Sequence, residues 1–324
     1  MSAVWAILLL IGGLITLGVG GELLVRGAAR LARGLGISPL VVGLTVVAYG
    51  TSAPEAAVCV QAVVQGQDAL AVGNVVGSNI ANILLILGVA ASIRPFKVSL
   101  NLLKTDAPIM VLVAALFVLL SIEPWGNGQL VRFEGGLLLI GMLVYTALTY
   151  FMSRREPQVV ADEYSAAIGL KGSRLVNLGM VVVGIAGLVL GGRLIVEGAS
   201  ELAFMLGISP TIVGLTIVAI GTSLPELATS VIAIRHNQPD IAIGNIVGSN
   251  ICNILLVVGL SATVSPVTVE AETLYYDCPA MLFASLIFMV IAWTRQRISR
   301  REGLVLLVFY ISYLAWTAQR ALNP

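Results

Sequence analysis

The chain has 324 residues, of which 58% are hydrophobic and 11% charged, with 18 Lys and Arg against 17 Asp and Glu. A mean hydropathy of +1.00 leaves too little polar surface to cover a water-soluble globule, so the composition points to an integral membrane protein with almost nothing left for a soluble domain. Cys59, Cys252, Cys278 and the single His236 have no metal or redox spacing. The cysteines read as small core residues and the histidine as a solvated helix-end residue.

A spanning helix needs about 20 mostly apolar residues. Ten such segments follow one another, near residues 4–25, 37–65, 69–92, 107–122, 133–152, 175–198, 208–234, 241–263, 275–294 and 303–319. The first lacks a basic leading region, and its end (Gly20, Gly21, Leu23, Val25, Gly27, Ala28) recurs as Gly191, Gly192, Leu194, Val196, Gly198, Ala199. It is therefore expected to be a membrane helix rather than a cleaved leader.

The second segment starts at Ser38 and Pro39, a hydroxyl cap followed by proline at the first helical position. Pro54 removes a backbone hydrogen bond and clashes with the preceding turn, and Gly50 eases the bend, so the helix should break near 50–54 and restart at Pro54. Such a break at membrane depth must line a cavity or be buried in protein. It frees carbonyls near Ala48, beside the hydroxyls of Thr51 and Ser52, with Glu55 opening the next half-helix. The third segment carries Ser78 and Asn82, one helical face at spacing i, i+4, and Gly73 and Gly77 permit close helix approach. Asp106, two residues before Pro108, is expected to cap the fourth helix.

After a polar stretch from Ser153 to Arg174 the same features return. Gly43-Leu44-Thr45 and Gly50-Thr51-Ser52, with Pro54 and Glu55, reappear 171 residues on as Gly214-Leu215-Thr216 and Gly221-Thr222-Ser223, with Pro225 and Glu226. Ser209, Pro210 and Ala219 repeat the cap, the proline and the carbonyl position. GNVVGSNIANILL from Gly73 becomes GNIVGSNICNILL from Gly244, bringing Gly248, Ser249 and Asn253, and Asp106, Pro108 and Met110 become Asp277, Pro279 and Met281. Glu134 pairs with Glu302 at an offset of 168. Each copy holds five helices, an odd number, so equivalent helices cross the bilayer in opposite directions with the site where the halves meet. Assigned to alternate sides, fifteen Lys and Arg fall on one side and only Arg132, Arg193 and Arg320 on the other. Both termini are thus expected outside and the linker 153–174 in the cytoplasm.

A carboxylate at the bilayer centre costs about 2.5–3.5 kcal/mol on insertion scales, so Glu55 and Glu226 call for a compensating cation or protons. Carboxylate, hydroxyl, amide and carbonyl oxygens suit Ca2+ or Na+ and disfavour soft metals. Thr45, Thr216, Asn74, Asn245, Asn79 and Asn250 read as helix-to-helix hydrogen bonders, and Glu22, Arg26, Arg193 and Glu197 as interfacial ion pairs.

GTSAPE with GSNIAN, and GTSLPE with GSNICN, resemble the two alpha-repeats of the calcium/cation antiporter superfamily, particularly its prokaryotic sodium/calcium exchangers. The resemblance spans nearly the whole chain. It implies ten helices with inverted halves, a first and sixth helix that slide, and cation ligands at Ala48, Thr51, Ser52, Glu55, Ser78 and Asn82 with Ala219, Thr222, Ser223, Glu226, Ser249 and Asn253. Such exchangers typically carry aspartate where Asn253 stands, so at most two negative charges remain here.

The expected fold is an all-α membrane protein. Its ten transmembrane helices form two inverted-topology five-helix repeats, residues 1–152 and 175–324, with helices 2, 3, 7 and 8 broken around a midplane cation site. The expected activity is secondary antiport of Na+ against Ca2+ by alternating access, with no cofactor and no catalysis. The bilayer is its surroundings; no nucleic acid or obligate protein partner is implied. Within the superfamily a proton-coupled or potassium-dependent exchanger is the alternative. An intramembrane hydrolase lacks a base in the spans, and a passive channel is told apart by countertransport.

Overall fold

The structure, a computed structural model, describes residues 2–122, 128–153, 173–206 and 219–322. The linker reading, and Ser209, Pro210, Gly214, Leu215 and Thr216 of the second copy, fall outside these residues.

In chain order the helices are α1 (Ala3–Leu35), α2 (Pro39–Thr51), α3 (Ala53–Val64), α4 (Asp68–Ile93), α5 (Leu102–Ser121), α6 (Arg132–Ser153), α7 (Arg174–Met205), α8 (Ala219–Thr222), α9 (Leu224–Arg235), α10 (Pro239–Val264), α11 (Thr273–Arg295) and α12 (Arg300–Leu322). Among the described residues, eight helices are long and apolar enough to cross a membrane, or nine if the bent pair α2 and α3 is one span. Large apolar side chains face outward, such as Leu14, Leu143, Val182 and Val308, while buried polar side chains gather inside. That is the reverse of a water-soluble protein and the arrangement lipid demands.

Two helices are longer than their apolar runs suggest. α1 continues through Arg26, Arg30 and Arg33 to an αL cap at Gly36 (φ 66°), and α7 continues to Met205. At 1.5 Å per residue, helices of 33 and 32 residues exceed the roughly 30 Å hydrocarbon core, so part of each lies beyond it. They pack antiparallel, backbone against backbone. A Cβ at Gly184 would sit 2.5 Å from Leu24 N, one at Gly191 2.5 Å from Leu17 N and one at Gly20 2.7 Å from Leu188 N. Small residues spaced by sevens thus bring these helices together where side chains would hold them apart.

α4 and α10 form the centre of the molecule, most of their residues being buried. Helices 3 and 8 of the sequence reading were expected to be broken, but each is one helix. Instead each widens into a π turn that begins at a repeated asparagine, Asn82–Ile86 in α4 and Asn253–Val258 in α10. Neither stretch contains proline, so the backbone bonds lengthen to i→i+5 without being lost.

Four two-residue strands tie the copies together. β1 (Phe96–Lys97) pairs antiparallel with β4 (Arg297–Ile298), and β2 (Gln129–Leu130) with β3 (Val267–Thr268). β1 and β3 are repeat mates at 171 and β2 and β4 at 168, so each pair joins one copy to the other. Glu134 and Glu302 behave as mates too, accepting from the backbone N–H of Val131 (2.9 Å) and Ser299 (2.7 Å) at the starts of α6 and α12.

Gly184→Val is expected to lower the melting temperature of the detergent-purified protein by about 3–10 °C, from 1–3 kcal/mol of overpacking. Gly179→Val, where a Cβ meets nothing within 4 Å, leaves it unchanged. Tryptophan-fluorescence melts check both.

Candidate functional site

Pro54 at the start of α3 does what its chemistry dictates. The chain leaves helical geometry at Ser52 (φ −82°, ψ 3°), and α2 and α3 meet at 43°. Gly50 lets α7 approach the break, since a Cβ there would fall 2.3 Å from Ile185 Cδ1. The second copy repeats the turn at Ser223 (φ −89°, ψ 4°) between α8 and α9, with Pro225 in the first turn. Both glutamates open a half-helix, where the N-terminal dipole favours a negative charge.

Thr51, Ser52, Glu55, Ser78 and Asn82 from the first copy and Thr222, Ser223, Glu226, Ser249 and Asn253 from the second are all at most 9% exposed, as is Ala48. The copies meet directly. Ser52 Oγ donates to Glu226 Oε1 at 3.4 Å, Ser78 and Ser223 hydroxyls share a bond of 3.3 Å, and those of Thr51 and Ser249 one of 3.4 Å. Glu226 thus receives a hydroxyl from the other half of the chain. For Ala219 the structure gives the backbone, at the start of α8.

The four repeated asparagines bond between helices as the sequence suggests, in a symmetric pattern that spacing alone does not reveal. Asn82 Nδ2 donates to Asn250 Oδ1 (2.9 Å), and its mate Asn253 Nδ2 donates to Asn79 Oδ1 (3.0 Å). Thr51 Oγ1 donates to Asn245 Oδ1 (3.0 Å), and Thr222 Oγ1 to Asn74 Oδ1 (3.2 Å). The accepting asparagines are held in turn. Asn79 Nδ2 points to Met281 Sδ and Asn250 Nδ2 to Met110 Sδ, each at 3.5 Å. Asn74 Nδ2 points to Cys59 Sγ (3.3 Å) and Asn245 Nδ2 to Ser230 Oγ (3.2 Å). Met110 and Met281 recur at 171, and Cys59 and Ser230 stand at equivalent positions with the same offset, although there the residue type has changed.

The consequence for Asn82 and Asn253 is a bare amide oxygen, and each glutamate adds a bare carboxylate oxygen beside it. Each asparagine of the outer layer consumes the hydrogen of an inner residue and turns that residue's oxygen away from itself. Glu55 Oε2, Asn82 Oδ1, Glu226 Oε2 and Asn253 Oδ1 are buried without a hydrogen-bond partner. They are two pairs of repeat mates. Buried acceptors of this kind are costly unless something meets them.

Several readings need correction. The Ala48 carbonyl is not released by the break, because it accepts from Ser52 N (3.0 Å) and Thr51 Oγ1 (3.4 Å) as the helix tightens at its end. Thr45 bonds back to Val41 O (2.6 Å) in its own helix. Asp106 and Asp277 make no side-chain cap bond to the helical stretches that follow them, since π turns carry the helices past; they accept from Tyr145 (3.0 Å) and Tyr313 (3.1 Å), and Asp277 also pairs with Arg320 at 2.9 Å. His236 is bonded to Glu22 Oε2 across 2.7 Å, while Arg26 takes the other oxygen of that carboxylate. Arg193 and Glu197 pair as expected, at 2.7 Å.

The sodium/calcium exchanger protein family matches residues 5–151 and 176–319. A putative antiporter, CaxA, of Alkalimonas amylolytica is 38% identical over 93% of this chain and 95% of its own length. The sodium/calcium exchanger MaX1 of Methanosarcina acetivorans is 36% identical over 95% and 97%, and the inner membrane protein YrbG of Escherichia coli K12 is 38% identical over 95% of each. Solved structures of the sodium-calcium exchanger NCX_Mj superpose with a TM-score of 0.84 at 30% identity over 97% of this chain and 99% of that one, for a crystal soaked with 2.5 mM Na+ and 10 mM Sr2+. The chain is therefore a membrane antiporter and not an enzyme, and it belongs to the sodium/calcium exchanger family.

Asn245→Leu removes an acceptor for Thr51 and the donors to Ser230 Oγ and Glu226 O. It is expected to lower the melting temperature in Na+- and Ca2+-free buffer by about 5 °C, from 1–3 kcal/mol of unmet buried groups. Thr45→Val, which breaks only a bond within its own helix, shifts the melt by far less.

Proposed function

We propose that this protein exchanges Na+ for Ca2+ across the membrane by alternating access, both ions using one oxygen-lined pocket at Glu55 and Glu226. The observation that carries this reading is the quartet of buried, unpartnered oxygens on Glu55, Asn82, Glu226 and Asn253. Thr51, Ser52 and Ser78 with Thr222, Ser223 and Ser249 supply further hydroxyl oxygens, and Ala219 a backbone carbonyl. All are hard donors of the kind Ca2+ and Na+ take. The names of MaX1 and NCX_Mj, sodium/calcium and sodium-calcium exchanger, supply the ion pair.

Coupling follows from electrostatics. Without a cation the pocket carries two carboxylates out of contact with any described cationic side chain, and moving such a pair through the bilayer midplane is unfavourable by several kcal/mol per charge. Occupied by Ca2+ or by Na+, the pair is compensated and the rearrangement is allowed. Only loaded carriers change sides, and ions exchange one kind for the other.

In the same reading the chain is two inverted five-helix repeats, residues 1–152 and 175–324, with ten spans, the linker 153–174 in the cytoplasm and both termini outside. The strand pairs support the inversion. α5 separates β1 from β2 by the length of one span, and β1·β4 and β2·β3 are equivalent pairs, so mates lie at opposite membrane faces.

Glu55→Gln and Glu226→Gln are each expected to cut Na+-driven 45Ca2+ uptake into proteoliposomes at least about tenfold, the factor carried by 1.4 kcal/mol. Wild-type rates in both variants would exclude the pocket. Imposing Na+, K+ and pH gradients one at a time identifies the coupling ion; uptake driven by a pH gradient without Na+ would select the proton-coupled alternative. Asn253→Asp adds a third charge and is expected to change the voltage dependence of exchange, read as uptake against an imposed K+ diffusion potential.

A further inference from the structure

A cavity of about 230 Å³ opens away from the Glu55/Glu226 pocket, between the last turns of α1 and the turn joining α9 to α10. Its walls are Val25, Arg26, Ala29, Arg30 and Arg33 of α1 with His236 and Gln238 opposite. Positions 26, 30 and 33 share one helical face, so α1 delivers three guanidinium groups to one hollow.

The charges in this hollow are unevenly matched. Glu22 takes Arg26 on one oxygen and His236 on the other. Arg30 receives no carboxylate from any described residue; its Nη1 reaches Met180 Sδ at 3.7 Å, an uncharged and weak acceptor. Gln238, only 5% exposed, adds an amide to the wall. Guanidinium forks beside an amide, in a hollow far larger than one water, suit a tetrahedral oxyanion, whose oxygens accept paired N–H bonds.

We infer that the cavity between the arginine face of α1 and the His236–Gln238 turn binds a phosphate-bearing anion, supplied either by an anionic phospholipid headgroup or as free phosphate. A basic hollow between helices where they leave the hydrocarbon is where phospholipid headgroups lie. The anion would link α1 to the α9–α10 turn, adding to the bridge that His236 and Glu22 make. Nothing in this binding depends on the Glu55/Glu226 pocket, so the two readings fail separately.

The test uses the full-length protein, purified and delipidated, and titrated with phosphatidylglycerol, phosphatidylcholine or inorganic phosphate, followed by native mass spectrometry and melting temperature. Phosphatidylglycerol is expected to be retained as one tight adduct and to raise the melting temperature, and phosphatidylcholine is not. Arg30→Gln should weaken that retention about fivefold, the effect of losing roughly 1 kcal/mol per basic residue. Arg30→Lys should keep most of it, and Arg297→Gln, on β4 and outside the cavity, all of it. Stabilisation by inorganic phosphate equal to that by phosphatidylglycerol, and lost in Arg30→Gln, would assign the site to free phosphate. Equal retention of both lipids with no phosphate effect, or undiminished phosphatidylglycerol binding in a folded Arg30→Gln/Arg33→Gln variant, would overturn the inference. Unliganded melts and size-exclusion profiles of each variant establish that it is folded.

Discussion

Two carboxylates held in the interior of a bilayer-spanning bundle set the terms for everything around them. Water would stabilise Glu55 and Glu226 by tens of kcal/mol relative to a dry apolar medium, and the fold must recover enough of that to be stable at all. It does so by surrounding them with hydroxyls and amides rather than with arginine or lysine. A permanent cationic partner would neutralise the pair once and for all; hydroxyls and amides do not. The helix breaks at Ser52 and Ser223 serve the same end, because they place each glutamate at the start of a half-helix where the backbone dipole is favourable.

The halves complete one another. Asn82 is oriented by Asn250, Asn253 by Asn79, Thr51 by Asn245 and Thr222 by Asn74, and in every case donor and acceptor belong to different copies. A single copy would leave these groups buried and unmet, so the duplication is a condition of the site as well as its origin. Thioethers and a thiol close three of the four bonds behind this layer. As weak acceptors they hold each asparagine's NH2 group while leaving its Oδ1 for the inner residue. The two copies are not identical, however. Asp277 has Arg320, whose guanidinium also stacks over Tyr276 and Trp316, whereas the position equivalent to Arg320 in the first copy is Met152.

Much of this is legible in the order of the residues. The cap at Ser38, whose hydroxyl accepts from Val41 N, the turn at Pro54, the ion pairs of Arg26 with Glu22 and Arg193 with Glu197, and the burial of the cysteines all follow from local chemistry that the sequence displays. What it hides is of another kind. His236 finds Glu22, Asp106 finds Tyr145 and Asp277 finds Tyr313, partners 36 to 214 residues away in the chain. Neither periodicity nor spacing carries information about such pairs. The lengths of α1 and α7 are hidden because a charged residue ends an apolar run without ending the helix, and long side chains on a continuing helix can reach the interface.

By itself the sequence determined that the chain lives in a membrane, that it is built twice from one unit, and which residues recur in each copy. These are properties of composition and order, and no folding is needed to read them. Only the tertiary structure decided which recurring residues touch, which of their hydrogens are already spent, and therefore that Asn82 and Asn253 keep a bare oxygen alongside those of Glu55 and Glu226. The reason is geometric: an amide or hydroxyl offers both a donor and an acceptor, and which of the two is used depends on what the opposite helix brings within about 3 Å.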